Sequence, residues 1–274
     1  GLDVNETGWT FACMMELFER GIVTSEELDG IDLTWGNVEA VRTLLIKTAA
    51  KEGVGELLAH GVKEMVKKIG RGAEEIGIYT LKGNTPRGHD HRGRWTEMFN
   101  TCLSESGNLE NDLINKRTDK TQFGLPPKMD FFDPDFVAKA EAKSKGSMQL
   151  EDSAVTCRFH TRTDVRLLSA AISAVTGWDF DFDEGMKVGR RAINIMRAYN
   201  IRSGLGGDLD RPSPRYGSVP KDGPAKGKDI APHFAKMVKT YYDLMGWDEE
   251  GRPLPETLKN LDIGEITADL WDRR

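Results

Sequence analysis

Cysteine is scarce in this sequence: its 274 residues include only Cys13, Cys102 and Cys157, which lie far apart. An odd number of widely spaced cysteines is a poor disulfide framework and is typical of a reducing compartment, so we expect a cytoplasmic protein. No Cys-x-x-Cys pair occurs. This absence excludes a zinc or iron–sulfur site whose ligands all lie close together in this sequence.

Long apolar runs and concentrated positive charge are also lacking. No apolar run approaches the roughly 20 residues that a membrane-spanning helix requires, and the first residues do not resemble a secretory signal. The net charge is −6, and Lys and Arg are scattered, without the basic stripe that nucleic-acid binding requires. We therefore expect neither a membrane nor a nucleic acid as partner. We interpret Gly1, which stands where a start Met would, as a cut site.

Strand-like alternation is almost absent, and its best candidate is the short run 76–81. Apolar residues instead recur at helical spacing. Asn37 is a good N-cap, and Gly177 and Gly246 are good helix ends. We predict an all-α chain that divides near residue 80. Helices are predicted over residues 10–20, 38–53, 56–69, 150–175, 184–200, 232–245 and 255–261.

The segment 152–157, Asp-Ser-Ala-Val-Thr-Cys, combines a carboxylate with a thiol. An Asp can accept hydrogen bonds from a heterocycle's N–H groups, and a Cys thiolate can bind iron. If a turn near Thr156 breaks the helix, Asp152 and Cys157 could face one site. The alternative is a helix N-cap Asp followed by a buried Cys that packs as a small apolar residue.

Two further groups of polar residues are candidates for chemistry. His89 and His91 flank an acid in a Gly-rich loop and could bind a metal or transfer protons; the alternative is a loop held by hydrogen bonds. Glu105, Glu110 and Asp112 follow on a stretch that could be helical. Any of them could be a buried acid, and the simpler interpretation is a solvated helix face.

Four segments together carry a family resemblance over essentially the whole chain. Residues 1–3 look like the second half of an Asp-x-x-Gly-Leu-Asp motif. Residues 152–157 look like Asp-x-x-Gly-Leu-Cys, with Val-Thr replacing Gly-Leu. Residues 197–204 are similar to an Arg-x-Phe-Asn-x-Arg helix end, and residues 241–258 to a C-terminal signature. In this order and spacing, they resemble the C-terminal part of the aldehyde ferredoxin oxidoreductase family of tungsten enzymes.

The resemblance implies multi-helical C-terminal domains truncated at the N-terminus, with residues 1–80 as the remainder of helical domain 2 and residues 81–274 as helical domain 3. It implies tungsten, or molybdenum, between two pterin dithiolenes, beside a [4Fe–4S] cluster. By motif position, Cys157 would be the fourth cluster ligand. The pterin-contacting residues would be Leu2, Asp3, Asp152 and Thr156. Because a β-branched pair does not freely take the Gly conformation, we expect Val155 and Thr156 to change the turn.

Several family members place a catalytic His near the position of Glu110. The resemblance therefore implies that Glu110, with His89 or His91, would line the substrate end, where a Glu of raised pKa could transfer protons. The implied reaction is oxidation of an aldehyde to a carboxylic acid, with electrons leaving through the cluster to ferredoxin or another electron-transfer protein. A homodimer is compatible with this resemblance.

The resemblance also implies that the N-terminal domain, three cluster cysteines and one motif Asp are missing from this chain. We therefore do not expect the chain alone to be active. Two alternatives remain open. One is a tungsten-dependent reductase of activated acids, such as aryl-CoA thioesters, on the same scaffold. The other is a helical assembly module that has no cofactor.

Overall fold

A computed structural model describes residues 1–111, 113 and 117–271. Over these residues the chain forms helices joined by loops, and two isolated β-bridges take the place of any strand. The all-α prediction is therefore confirmed. The run 76–81 was the best strand candidate, and only Thr80 within it makes a bridge, to Pro212. In the part of the chain that is described, no helix is both long and apolar enough to span a membrane.

The first of two compact units comprises residues 1–90 together with residues 211–218. The returning segment binds the rest of the unit through the Leu81 N–H, which donates to the Arg211 carbonyl at 2.8 Å. An ion pair of 3.2 Å joins Arg215 to Glu16. The helices of this unit are α1 (Val4–Glu19), α2 (Val38–Ala50), α3 (Val54–Leu58) and α4 (Gly61–Ile69).

Capping residues set the helix ends of this unit. Asp3 accepts a hydrogen bond from the Glu6 N–H at 2.7 Å, so α1 begins at Val4, earlier than the predicted residue 10. Asn37 caps α2 as predicted. The predicted single helix 56–69 is two helices, because the chain breaks before Gly61, whose φ is +75°. Buried side chains from all four helices form one core, which includes Met14, Leu17, Leu44, Leu58 and Met65.

The second unit comprises residues 91–210 and 219–274. The predicted boundary after residue 80 assigns residues 81–90 and 211–218 to the second domain, whereas both segments pack with the first unit. The helices of the second unit are α5 (Trp95–Cys102), α6 (Pro134–Ser144), α7 (Ser147–Ser153), α8 (Arg158–Thr161), α9 (Val165–Thr176), α10 (Phe182–Arg202), α11 (Ala231–Met245), α12 (Pro255–Asn260) and α13 (Thr267–Trp271).

The predicted long helix 150–175 is wrong as a single element, because the chain turns twice and forms α7, α8 and α9. α7 packs against α10 where Gly146 meets Gly189. A Cβ on Gly189 would stand 1.8 Å from the Gly146 carbonyl oxygen, so only glycine allows this approach. Asp181 caps α10, so this helix begins at Phe182, two residues before the predicted residue 184. Gly177 and Gly246 end α9 and α11 as predicted.

Candidate functional site

The segment from Asp152 to Cys157 forms the turn between α7 and α8. Val155 at its centre takes a backbone φ of +55°. The main-chain carbonyl of Glu151 closes the turn by accepting hydrogen bonds from Thr156, from its N–H at 3.0 Å and from its hydroxyl at 3.1 Å. Cys157 is the N-cap residue of α8. The helix therefore ends at the turn near Thr156 that would allow the Asp152 carboxylate and the Cys157 thiol to face one site.

Asp152 and Cys157 are both exposed on this turn. The alternative of a capping Asp and a buried Cys is therefore wrong, since α7 begins after Gly146 and the Cys157 thiol faces the surface. Val155 stands at the position of the motif Gly and takes the left-handed conformation that favours Gly. A β-branched residue at this position thus adopts a backbone conformation of the kind that Gly takes freely.

Leu2 and Asp3 lie in the first unit, at the start of α1, and both are exposed. One carboxylate oxygen of Asp3 is engaged by the Glu6 N–H. Such a bond satisfies an amide at the helix N-terminus that has no partner inside the helix. The side chain therefore has a local structural role and still presents a carboxylate to the surface.

His89 and His91 fall on opposite sides of the division between the two units. His89 is exposed near the end of the first unit. His91 is the buried first residue of the second unit and opens a short 3-10 turn. A ring nitrogen of His91 lies within 4.8 Å of a carboxylate oxygen of Glu97, which is also buried. Glu97 was not among the site residues predicted from the sequence.

Glu110 is completely buried in the second unit, on an irregular segment that follows α5. One carboxylate oxygen accepts hydrogen bonds from the N–H groups of Glu105 at 3.0 Å and Ser106 at 2.9 Å. The other forms an ion pair with Lys145, which is buried as well. A solvated helix face is therefore the wrong interpretation of Glu105 and Glu110, and Asp112 lies outside the described residues.

Arg197 of α10 holds the same irregular segment through Glu105. Its guanidinium forms ion pairs of 3.0 Å with both Glu105 and Asp210, and all three side chains are fully buried. The guanidinium also lies 4.8 Å from the ring centroid of Trp247. Burial alone would lower the pKa of Arg197, but the two carboxylates offset this effect and raise it. Asn200 adds a 2.8 Å bond to Glu105.

Glu141 of α6 is another buried acid near this segment. One of its oxygens accepts hydrogen bonds from the side-chain amides of Asn100 at 2.6 Å and Asn111 at 2.5 Å. Burial raises the pKa of Glu141 to about 7, while these hydrogen bonds and the charge of Lys145 act in the opposite direction. Asn100 also accepts the main-chain N–H of Glu110 at 2.8 Å, which links the two acids.

The structure thus gathers Asp152, Thr156 and Cys157 in one exposed turn, and it buries Glu110 elsewhere in the same unit. Sequence reasoning missed Glu141 and Lys145. Their spacing of four residues on a helix could have indicated a paired acid and base. Their burial could not have been read from that spacing, because their partners lie on distant segments.

A family model described as "Aldehyde ferredoxin oxidoreductase, domains 2 & 3" matches residues 1–263. The tungsten-containing aldehyde ferredoxin oxidoreductase of Pyrococcus furiosus is 33% identical over 277 residues, covering 97% of this chain and 44% of the relative. The protein of the same name from Thermococcus kodakarensis is 32% identical with the same coverage. The WOR-like subunit of aliphatic sulfonate oxidoreductase from Pyrococcus furiosus is 30% identical, covering 98% of this chain and 42% of the subunit.

The chain therefore spans less than half the length of these relatives. Among solved structures, it is similar to the active site complex BamBC of benzoyl coenzyme A reductase in complex with 1,5-dienoyl-CoA. The TM-score is 0.77, with 100% of this chain and 46% of that chain covered. At 20% sequence identity this likeness shows the fold alone.

Proposed function

Because this chain belongs to the aldehyde ferredoxin oxidoreductase family, we propose that it supplies the helical part of a tungsten–bispterin, iron–sulfur oxidoreductase. The complete enzyme would oxidise aldehydes to carboxylic acids and pass electrons to ferredoxin. The observation that carries this proposal is the exposure of the Cys157 thiol at the start of α8. A cysteine that served only packing would be buried.

The chain fits an iron–sulfur cluster as the donor of one ligand. A [4Fe–4S] cluster binds four thiolates. Cys13 and Cys102 are buried in different units, and burial raises the pKa of the Cys13 thiol to about 12, which disfavours its thiolate. Cys157 is thus the thiol that this chain can offer, and the remaining ligands would come from outside these 274 residues.

The exposed carboxylates fit contacts to a pterin. Asp152 can accept hydrogen bonds from ring N–H and amino groups, and Asp3 keeps one oxygen that the α1 cap does not use. The Thr156 hydroxyl donates to the Glu151 carbonyl, so its oxygen remains able to accept. Leu2 would offer an apolar contact. When bound, the metal–pterin centre would supply two-electron oxidation, and the cluster would transfer those electrons singly.

We further propose that Glu110, His89 or His91 serves the substrate end by holding or moving a proton. For Glu110 this role carries a condition. Both of its carboxylate oxygens are engaged, one by Lys145 and the other by two main-chain N–H groups, so proton transfer by Glu110 competes with these contacts. His91 is buried beside Glu97, and an imidazole exchanges protons near neutral pH more readily than any other unperturbed side chain.

Elemental analysis combined with a cysteine substitution tests the proposal. We expect tungsten and iron in the complete protein purified without oxygen, and loss of the cluster's EPR signal in Cys157→Ala. Cys102→Ala is the matched control, because it removes a buried thiol of the same unit and should leave the cluster intact. An unchanged cluster in Cys157→Ala would contradict the assignment of Cys157.

Substrate profiling separates the leading proposal from its alternatives. Aldehyde-dependent reduction of a viologen dye supports the oxidoreductase proposed here. Reduction of aryl-CoA thioesters without aldehyde activity would instead indicate a reductase of activated acids. Absence of both tungsten and iron from the complete protein would indicate an assembly module.

A further inference from the structure

The segment that follows α7 contains an unusual concentration of left-handed backbone. Val155, Arg162 and Thr163 have φ values of +55°, +56° and +59°. For residues other than Gly this conformation is strained, because Cβ approaches the following carbonyl oxygen. Such residues persist where surrounding contacts hold them in place. The turn that presents Cys157 therefore depends on contacts that hold its strained backbone in place.

Glu151 contacts this segment at both of its ends. Its main-chain carbonyl accepts the N–H and hydroxyl of Thr156. Its side-chain carboxylate accepts a 2.9 Å hydrogen bond from the N–H of Thr163 and another from the hydroxyl of Thr161. A single residue thus joins the start of the turn to the loop beyond α8, and Cys157 lies between these two points.

The side chain of Glu151 is enclosed by protein. It is 2% exposed and Thr163 is 1% exposed. A buried main-chain N–H requires a partner, and the Glu151 carboxylate is the partner of the Thr163 amide. Burial raises the pKa of Glu151, although the hydrogen bonds from Thr161 and Thr163 oppose that effect. Asp152, the adjacent residue, points to the surface instead.

We propose that Glu151 is a positioning residue, which fixes the turn bearing Asp152 and Cys157 without itself touching a cofactor. This inference deepens the proposed function and rests on it for the identity of the group that the turn faces. Residues that orient a metal ligand from behind commonly alter metal affinity about 10- to 100-fold when replaced. Glu151 would act on Cys157 in this way through its bonds to Thr156 and Thr163 on either side.

The test compares Glu151→Ala with Asp164→Ala in the complete protein. Asp164 is one residue beyond Thr163 and accepts a 2.9 Å bond from the N–H of Leu167, as the cap of α9. Each substitution therefore removes a carboxylate-to-amide bond, and only Glu151→Ala releases the turn. A Glu151→Gln variant keeps an oxygen acceptor and should restore the clamp.

Two readouts are needed. In Glu151→Ala we expect amide hydrogen exchange over residues 155–163 to accelerate by about tenfold or more. We also expect cluster iron to be lost to a chelator about tenfold faster than in the wild type. Asp164→Ala should accelerate exchange at Leu167 and leave both the turn and the iron release unchanged. Glu151→Gln should resemble the wild type in both measurements.

Two results would overturn the inference. One is wild-type exchange over residues 155–163 in Glu151→Ala. The other is iron release that rises equally in Glu151→Ala and Asp164→Ala, which would indicate a loss of overall stability alone. If the wild-type protein holds neither iron nor tungsten, the proposed function fails, while the exchange measurement still decides whether Glu151 clamps the turn.

Discussion

Two segments of the second unit carry candidate site residues, and they are held in opposite ways. Residues 104–111 are held by buried ion pairs, one between Arg197 and Glu105 and one between Lys145 and Glu110. Residues 152–163 lie near the surface, where one carboxylate, that of Glu151, and main-chain hydrogen bonds hold strained backbone.

The comparison shows two degrees of tolerance to change. A buried ion pair responds severely to loss of one partner, because the other charge remains in a medium that solvates it poorly. In a surface turn the cost of a left-handed residue is small, and a single substitution can remove it. We therefore expect the first segment to tolerate substitutions poorly. We expect the second, which already holds Val155 in a left-handed conformation, to tolerate them better. Three substitutions sharpen this contrast.

The largest effect is expected from Arg197→Met. The substitution removes the cation shared by two buried carboxylates, and breaking a buried pair costs about 3–5 kcal/mol. Urea unfolding of the 274-residue chain measures the loss. Arg202→Met on the same helix is the control, since Arg202 forms an exposed pair with Asp269, for which under about 1 kcal/mol is expected. Equal losses of unfolding free energy in the two variants would show that the buried ion pairs contribute no more than the exposed pair.

An intermediate, pH-dependent effect is expected from Glu141→Gln. The folded-state pKa of Glu141 is raised from 4.5 to about 7, so the folded protein holds this proton more tightly than the unfolded chain. The resulting stability is present below pH 4.5 and is lost as the pH rises through 7. A shift of this size corresponds to about 3 kcal/mol.

Gln keeps the acceptor for Asn100 and Asn111 without titrating. We therefore expect Glu141→Gln to gain about 3 kcal/mol relative to the wild type between pH 4.5 and pH 8. Unfolding free energies measured across this range check the prediction. Parallel curves for the two proteins would show that folding does not raise the pKa of Glu141.

The smallest effect is expected from Val155→Gly, which should stabilise the protein slightly, in contrast to Arg197→Met. Gly relieves roughly 1–2 kcal/mol of left-handed strain and loses about 0.4–1 kcal/mol through the freer unfolded chain. A net gain of about 0.5–1 kcal/mol should follow. Val175→Gly, at an equally exposed Val within α9, should destabilise instead, because Gly is the poorer helix former. Destabilisation by both would mean that the turn at Val155 is not strained.

The helical class and several helix ends could be predicted from sequence because they depend on local chemistry. The cap at Asn37 and the glycine ends at Gly177 and Gly246 are local signals, and all three are observed. The break between α7 and α9 was missed as a helix boundary. The residues at this break include neither Gly nor Pro, which are the usual signals of a helix end. Val155, which makes the turn, is of a type that rarely takes a left-handed conformation.

The candidate site could be predicted where a motif stands in one stretch of sequence. Asp152 and Cys157 were selected together, and the structure presents both on one turn. The buried network could not be predicted, since Glu105 meets Arg197 across 92 positions of the chain. Nothing in the neighbourhood of Glu105 distinguishes it from a solvated acid, and only the folded packing does so.

The returning segment 211–218 has a consequence for biosynthesis. Because a ribosome releases the chain from its N-terminus, residues 91–210 emerge before the segment that completes the first unit. The bond from Leu81 to Arg211 and the ion pair from Glu16 to Arg215 therefore form late. The first unit therefore cannot be complete until residue 218 has emerged, after residues 91–210 of the second unit.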